Sequence, residues 1–189
     1  MEAEIPAPAD PDRYPADDIS MDIRKATRDR LHEIHGVIRE SIKCLCTADH
    51  LGNPSHIETW LAARSQTELD ELILRSDSQG FVCVDANDLV VGVSHITTCG
   101  ELTLCYVAPT HSGLGIGSKL LAVAESQARN WDLLAIRLTS TTTAKAFYES
   151  HGYEPCAETI ACFGVTGHPL RKSLSATSTM DTESGITKG

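Results

Sequence analysis

Apolar residues recur three and four apart at Leu31, Ile34, Ile38, Ile42 and Leu45, the stripe of an amphipathic helix, with Thr27 ahead of it as a cap. Asp22 to Ala26 precedes it as a short strand. Two capping signatures follow, Ser55-x-x-Glu58 and Ser65-x-x-Glu68, each opening a short helical segment: one carries Ile57, Trp60 and Leu61, the other Leu69, Leu72 and Ile73. The pattern then changes. Phe81 to Val84 and Leu89 to Thr97 are rich in Val, Ile and Phe, and Asp85-Ala86-Asn87-Asp88 between them reads as a hairpin turn. Gly100 punctuates the chain before a third strand, Glu101 to Val107, and three strands so spaced predict an antiparallel meander. After Pro109 come Gly113, Gly115 and Gly117, then a helical run through Ile116, Leu120, Leu121 and Ala124 to about Asn130. A strand from Leu134 to Leu138, a helix from about Thr142 to Ser150, and strands near Cys156 to Val165 and Pro169 to Leu174 complete an α+β order.

The two ends break the pattern. Residues 1–20 hold four prolines and six acids against one base, too little apolar surface to repay the entropy of ordering. Residues 175–189 are rich in Ser and Thr and lack periodicity, so both ends are expected to be disordered around one domain from Met21 to Leu174, with Met21 an alternative start. The net charge of −10 argues against nucleic acid or an anionic membrane as partner, and is compatible with a cationic amine. No apolar run is long enough to span a bilayer, and the acidic, proline-rich start is unlike a signal peptide, so a cytoplasmic protein is expected. Seven scattered cysteines do not form a disulfide framework and read as small buried hydrophobes.

Chemistry concentrates in Val107 to Leu121, VAPTHSGLGIGSKLL. Glycines between a strand and a helix let backbone N–H groups close on a ligand, and the helix's first turn adds unpaired donors and the positive end of its dipole. An anion fits there, usually a phosphate. The loop has no third glycine in the register of a dinucleotide fingerprint, and Ser118-Lys119 reverses the order that a nucleotide triphosphate loop needs. It resembles the coenzyme A pyrophosphate loop of the GNAT superfamily of N-acetyltransferases, Arg/Gln-x-x-Gly-x-Gly/Ala, with Gly115 and Gly117 in its two glycine slots and Leu104, Tyr106, Val107 and Pro109 matching its strand and turn. Ser112 departs from it, standing where the family prefers Arg or Gln, a swap expected to weaken diphosphate binding without abolishing it. Downstream, Ala144, Tyr148, Gly152 and Tyr153 fall in register with a second family motif, with Thr141 in place of its Asn.

The resemblance implies a mixed central sheet of about seven strands with helices on both faces, and acetyl-CoA as co-substrate without a metal. In the family the fourth and fifth strands, here around Leu104 and Ile136, splay apart and admit the coenzyme's arm. The binding residues it implies are Cys105, Tyr106 and Val107 on the strand, Ser112, Gly113, Leu114, Gly115, Ile116, Gly117 and Ser118 in the loop, and Thr141. It implies Tyr148 as the general acid for the departing thiolate, since a phenol of pKa ~10 can protonate a thiolate of roughly 8 to 9. For the amine's proton three routes stay open: Glu101 at the head of the fourth strand, His95 on its neighbour, or water.

The acceptor is expected to be a primary amine of a small molecule or a peptide, with no nucleic acid or membrane as partner; dimers are common among relatives. Its pocket is expected between Cys44 and Arg75, with Trp60 and His50 as candidates, and in the final hairpin around Phe163 to His168. Cys44, Cys46 and His50 lack the spacing of a zinc site. Cys105 as a nucleophile in a double displacement, a non-catalytic acyl-CoA sensor of the same fold, and acyl transfer to a hydroxyl or with a longer acyl group are the alternatives.

Overall fold

The computed structural model describes residues 21–174; both ends expected to be disordered lie outside the described residues. Four antiparallel strands form the first sheet in the order β1 (Asp22–Lys25), β2 (Ser78–Val84), β3 (Val90–Thr97) and β4 (Leu102–Val107). The meander is thus present. Its β2–β3 turn is held by Asp85, whose Oδ1 accepts from the N–H groups of Asn87 and Leu89, both at 2.9 Å. A second sheet has β8 (Val165–Ser173) between β5 (Ala135–Ser140) and β6 (Glu154–Pro155), with β7 (Ile160–Cys162) also on β8.

Helices cover both faces of the first sheet. On one lie α1 (Leu31–Leu45), α3 (Pro54–Ala62) and α4 (Gln66–Ile73), with the short α2 (Thr47–His50) beside them. Leu31, Ile34, Ile38 and Ile42 of α1 pack with Trp60, Leu69, Val82, Val93 and Leu104. On the other lies α5 (Ile116–Asn130), whose Leu120, Leu121 and Ala124 meet Phe81, Cys83 and Ile96, together with Tyr148 and Tyr153 from α6 (Thr142–Ser150) and the turn after it. Residues of β2 thus alternate between two cores, and all of β3 is buried. Lys172 of β8 donates to both carboxylate oxygens of Glu125 on α5, at 2.8 and 2.9 Å, tying the second sheet to that helix. Among the described residues, no helix is long and apolar enough to cross a membrane.

Several details differ from the sequence expectations. A 3-10 turn, Arg28–Arg30, separates Thr27 from α1, and the Thr27 side chain makes no cap bond. Asn53, not Ser55, caps α3: its Oδ1 accepts from Ser55 N–H at 3.0 Å, and Pro54 fills the first helical position. Ser65 does cap α4, accepting from the N–H of Glu68. The last hairpin turns at Phe163-Gly164, φ 51° and 81°, so Val165 begins β8 where it was expected to end the preceding strand. Two positive φ values suit the twist of a two-residue hairpin, and burial of Val165 against the α1 core outweighs the cost of Phe163 in that region.

One irregularity shapes the site. Across β3 and β4, His95 faces Leu104 but Ile96 faces Leu102, leaving Thr103 as an extra, unpaired residue on β4. Such a bulge re-aims side chains and frees backbone groups.

Candidate active site

β4 and β5 meet, among the described residues, at one parallel bridge, Glu101 with Arg137, where the Arg137 N–H donates to the Gly100 carbonyl at 2.8 Å. Beyond it the strands belong to different sheets and diverge. The gap is a cavity of about 540 Å³ that runs from the glycine loop to the Trp60 end of α3. Strand edges that pair with nothing line it, and these must bond a ligand or water.

At the loop end, Gly113 and Gly115 have φ of 80° and 74°, a region in which a side chain is strained, and among the described residues nothing lies within 4 Å of where a Cβ would stand. Among the described residues no side chain caps α5, which leaves its first-turn N–H groups without a side-chain partner. Loop and helix end together form an open cradle of donors suited to a diphosphate. Ser112, Gly113, Gly115, Ile116, Gly117 and Ser118 border the cavity, and the Ser118 hydroxyl is held by His151 Nε2 at 3.0 Å. Leu114 does not border it; its side chain is exposed, so its share in any binding is through the backbone. The Ile116 side chain is buried in the core, which fixes where the first amide of α5 sits.

Tyr148 borders the cavity, as do Cys105, Tyr106 and Val107 of β4. Its ring packs edge-on against Phe147 and Tyr153, with centroids 5.1 and 5.6 Å away. The Cys105 thiol faces the Tyr148 hydroxyl; burial first, then that thiol, hold the phenol well above its ordinary pKa. Burial likewise pushes the Cys105 thiol up to about 11, against a small opposing pull from Tyr148. Both groups therefore carry their protons at neutral pH. α6 is anchored at its start, where Thr141 Oγ1 accepts from Ala144 N–H at 3.1 Å and Asp49 Oδ1 from Thr142 N–H at 2.7 Å. Thr141 borders the cavity, but its hydroxyl is engaged in this cap.

At the far end stand Trp60, Phe163 and Arg64, the last a residue that no sequence pattern singled out. The Arg64 guanidinium lies 4.6 Å from the Phe163 ring centroid, and its Nη2 donates to the carbonyl freed by the bulge at Thr103, at 3.4 Å. Burial holds the neighbouring Tyr106 phenol above its ordinary pKa, with Arg64 acting in the opposite direction.

The two candidates for the amine's proton are not at the cavity. Glu101 is exposed and borders a separate, shallower hollow of about 300 Å³ at the closed end of the wedge, with Arg137 and Cys156. His95 is fully buried on the α1 side of β3, its Nδ1 2.6 Å from Thr103 Oγ1, and burial pushes its pKa down to about 4. His50 is also internal, its Nε2 against the Ile42 carbonyl at 3.2 Å and its Nδ1 accepting from Gly52 N–H at 3.1 Å. Cys44 is exposed and Cys46 buried, so the two point apart. His168 meets Thr142 Oγ1 at 3.0 Å and does not border the cavity.

Solved structures share this architecture. A GCN5-related N-acetyltransferase from Rhodopseudomonas palustris superposes with a TM-score of 0.72 at 19% identity, over 81% of this chain and 95% of that one. The PaiA N-acetyltransferase from Thermoplasma acidophilum, solved with coenzyme A, gives 0.68 at 23% identity over 82% and 99%. The spermidine N-acetyltransferase from Vibrio cholerae, solved with CoA and spermine, gives 0.59 at 18% identity over 81% and 95%. No curated protein matches the chain in sequence. The acetyltransferase (GNAT) domain family matches residues 46–174, a span that takes in the glycine loop, both diverging strands and α6. With its sheet parted at the cavity and its glycine cradle at one end, the chain belongs to the GNAT family of acetyltransferases.

Proposed function

We propose that the protein transfers the acetyl group of acetyl-CoA to a primary amine of a small molecule or peptide, by direct attack while both substrates are bound. One observation carries this reading: the glycine cradle and Tyr148 border the same cavity. The amides of Gly113 to Ser118 bind the diphosphate, and the freed edges of β4 and β5 bond the amides of the arm, which brings a thioester to Tyr148. The complexes of the two relatives solved with CoA support that choice of co-substrate, and the spermine complex supports a small amine as acceptor.

The amine nitrogen attacks the thioester carbon, the C–N bond forms, and the C–S bond breaks. A backbone N–H of β4 between Cys105 and Val107 donates to the developing oxyanion. Tyr148, kept protonated by burial, gives its proton to the departing thiolate and recovers one from water. Neither Glu101 nor His95 borders the cavity, so the amine's proton is assigned to water. Cys105 is protonated at neutral pH, and a thiol is a poor nucleophile, which favours direct transfer over an acetylated-cysteine route.

Thiol release from acetyl-CoA across a panel of amines tests this. Release that needs both the amine and the protein is the expected outcome. Saturable acetyl-CoA binding without release for any amine would assign the fold to a sensor instead.

A further inference from the structure

The end of the cavity away from the glycine loop is bordered by Ser41, Leu45, Cys46, Trp60, Arg64 and Phe163. Arg64 is the one charged residue among them, and among the described residues no Asp or Glu borders any part of the cavity. Its surroundings hold the charge without neutralising it. The guanidinium is stacked on Phe163 and gives one long bond, 3.4 Å, to the Thr103 carbonyl. Its Nε is buried with no partner, and no ion pair involves it among the described residues. A half-buried cation with only neutral acceptors around it, the Thr103 carbonyl and the Tyr106 hydroxyl, is costly unless something supplies the anion. A guanidinium fixed by stacking presents its remaining donors as a planar fork, the geometry that fits a carboxylate.

On the reading of the cavity given above, we infer that the acceptor is a small amine that also carries a carboxylate, and that Arg64 is the residue that recognises it. The carboxylate sits on the Arg64 fork at the far end, which leaves the amine pointing back towards Tyr148 and the thioester. A polyamine would bring a second positive charge to the only charged side chain there, with no acid to receive it. The protein's acidic balance therefore does not describe its acceptor site: the local charge has the opposite sign.

The test uses matched ligands, so it does not depend on a variant folding. The twenty common L-amino acids, each beside its carboxamide, and spermidine are assayed by thiol release from acetyl-CoA. In parallel, their binding to the CoA-loaded protein is followed by tryptophan fluorescence, since Trp60 borders the same end. The expected result is at least one acid that binds about 10- to 100-fold more tightly than its carboxamide, as a charge-assisted pair implies. Arg64→Gln should remove that ratio and Arg64→Lys restore part of it, while acetyl-CoA affinity stays unchanged in both. Carboxamides or spermidine binding as well as the acids, no acid binding at all, or an acid preference that survives Arg64→Gln would overturn the inference. Failure of the transferase reading looks different: acids then bind in preference to carboxamides, yet none releases thiol.

Discussion

The two ends of the cavity are built in opposite ways. The loop end is a run of consecutive backbone amides, Gly113 to Ser118, in which the side chains matter mainly by being absent or turned away, as with exposed Leu114 and buried Ile116. The far end is assembled from side chains of α1, of α3 and the turn after it, and of the β7–β8 hairpin, brought together by the fold alone. A diphosphate asks the same of every protein that binds it, so a local backbone answer suffices. An acceptor asks for a shape and a charge particular to it, and only side chains supply those.

That division can be broken in order of expected effect. Tyr148, between the two ends, should serve the reaction and not either binding site. Tyr148→Phe is expected to lower kcat by about 100- to 10,000-fold, the range for a lost general acid, with acetyl-CoA affinity unchanged by calorimetry. Unaltered turnover would remove Tyr148 from the mechanism. At the loop end, Gly115→Val forces a branched side chain to φ 74°. Acetyl-CoA affinity should fall by about 100-fold, because at about 1.4 kcal/mol per decade the strain and shifted amides cost on the order of 3 kcal/mol. An equal loss of affinity from Phe163→Leu, at the far end, would show that the two ends are not separate.

His95 borders neither end, and its ionisation should appear in stability and not in the reaction. The unfolded chain takes up this proton near pH 6.5 but the folded chain only near 4, so the contribution is intact above 6.5 and is lost as pH falls from 6.5 towards 4. At pH 5 the loss is ~2 kcal/mol, measurable by urea unfolding at pH 7 and 5 and reduced in His95→Asn. A pH-rate profile that followed His95 instead would return it to the mechanism. The smallest effect is a gain. Ser112→Arg places a cation at the mouth of the cradle and should tighten acetyl-CoA binding by about 3- to 10-fold, with a steeper dependence on salt.

The same division explains what the sequence made legible. The meander, the glycine loop and Tyr148 rest on local pattern: strand period, alternating glycines, and a helix register that puts Tyr148 four residues after Ala144 and four before Gly152. The far end rests on contacts between segments distant in sequence. Nothing around Arg64 hints that it reaches the carbonyl of Thr103, 39 residues away, because the bulge that frees that carbonyl arises from the register of β3 against β4. Nor does the composition of α2 hint that Asp49 caps a helix 93 residues later. Trp60 and the final hairpin around Phe163, expected at the acceptor pocket, do border the cavity, whereas His50 turns inward to satisfy the end of α1 and the following turn. Glu101 was placed by its position at the head of β4, and it does lie there. The splay that opens the cavity closes at that very residue, leaving it outside.

On the proposed reaction both substrates occupy the one cavity at once, and this is tested most directly by mixing the protein first with acetyl-CoA alone and then with an accepted amine. Free thiol, acetylated amine and the intact mass of the protein are followed throughout. The expected result is no thiol and no acetylated protein before the amine is added, then thiol and acetylated amine appearing together in equal amounts. Thiol released in the first step with the acetyl group left on Cys105 would contradict it.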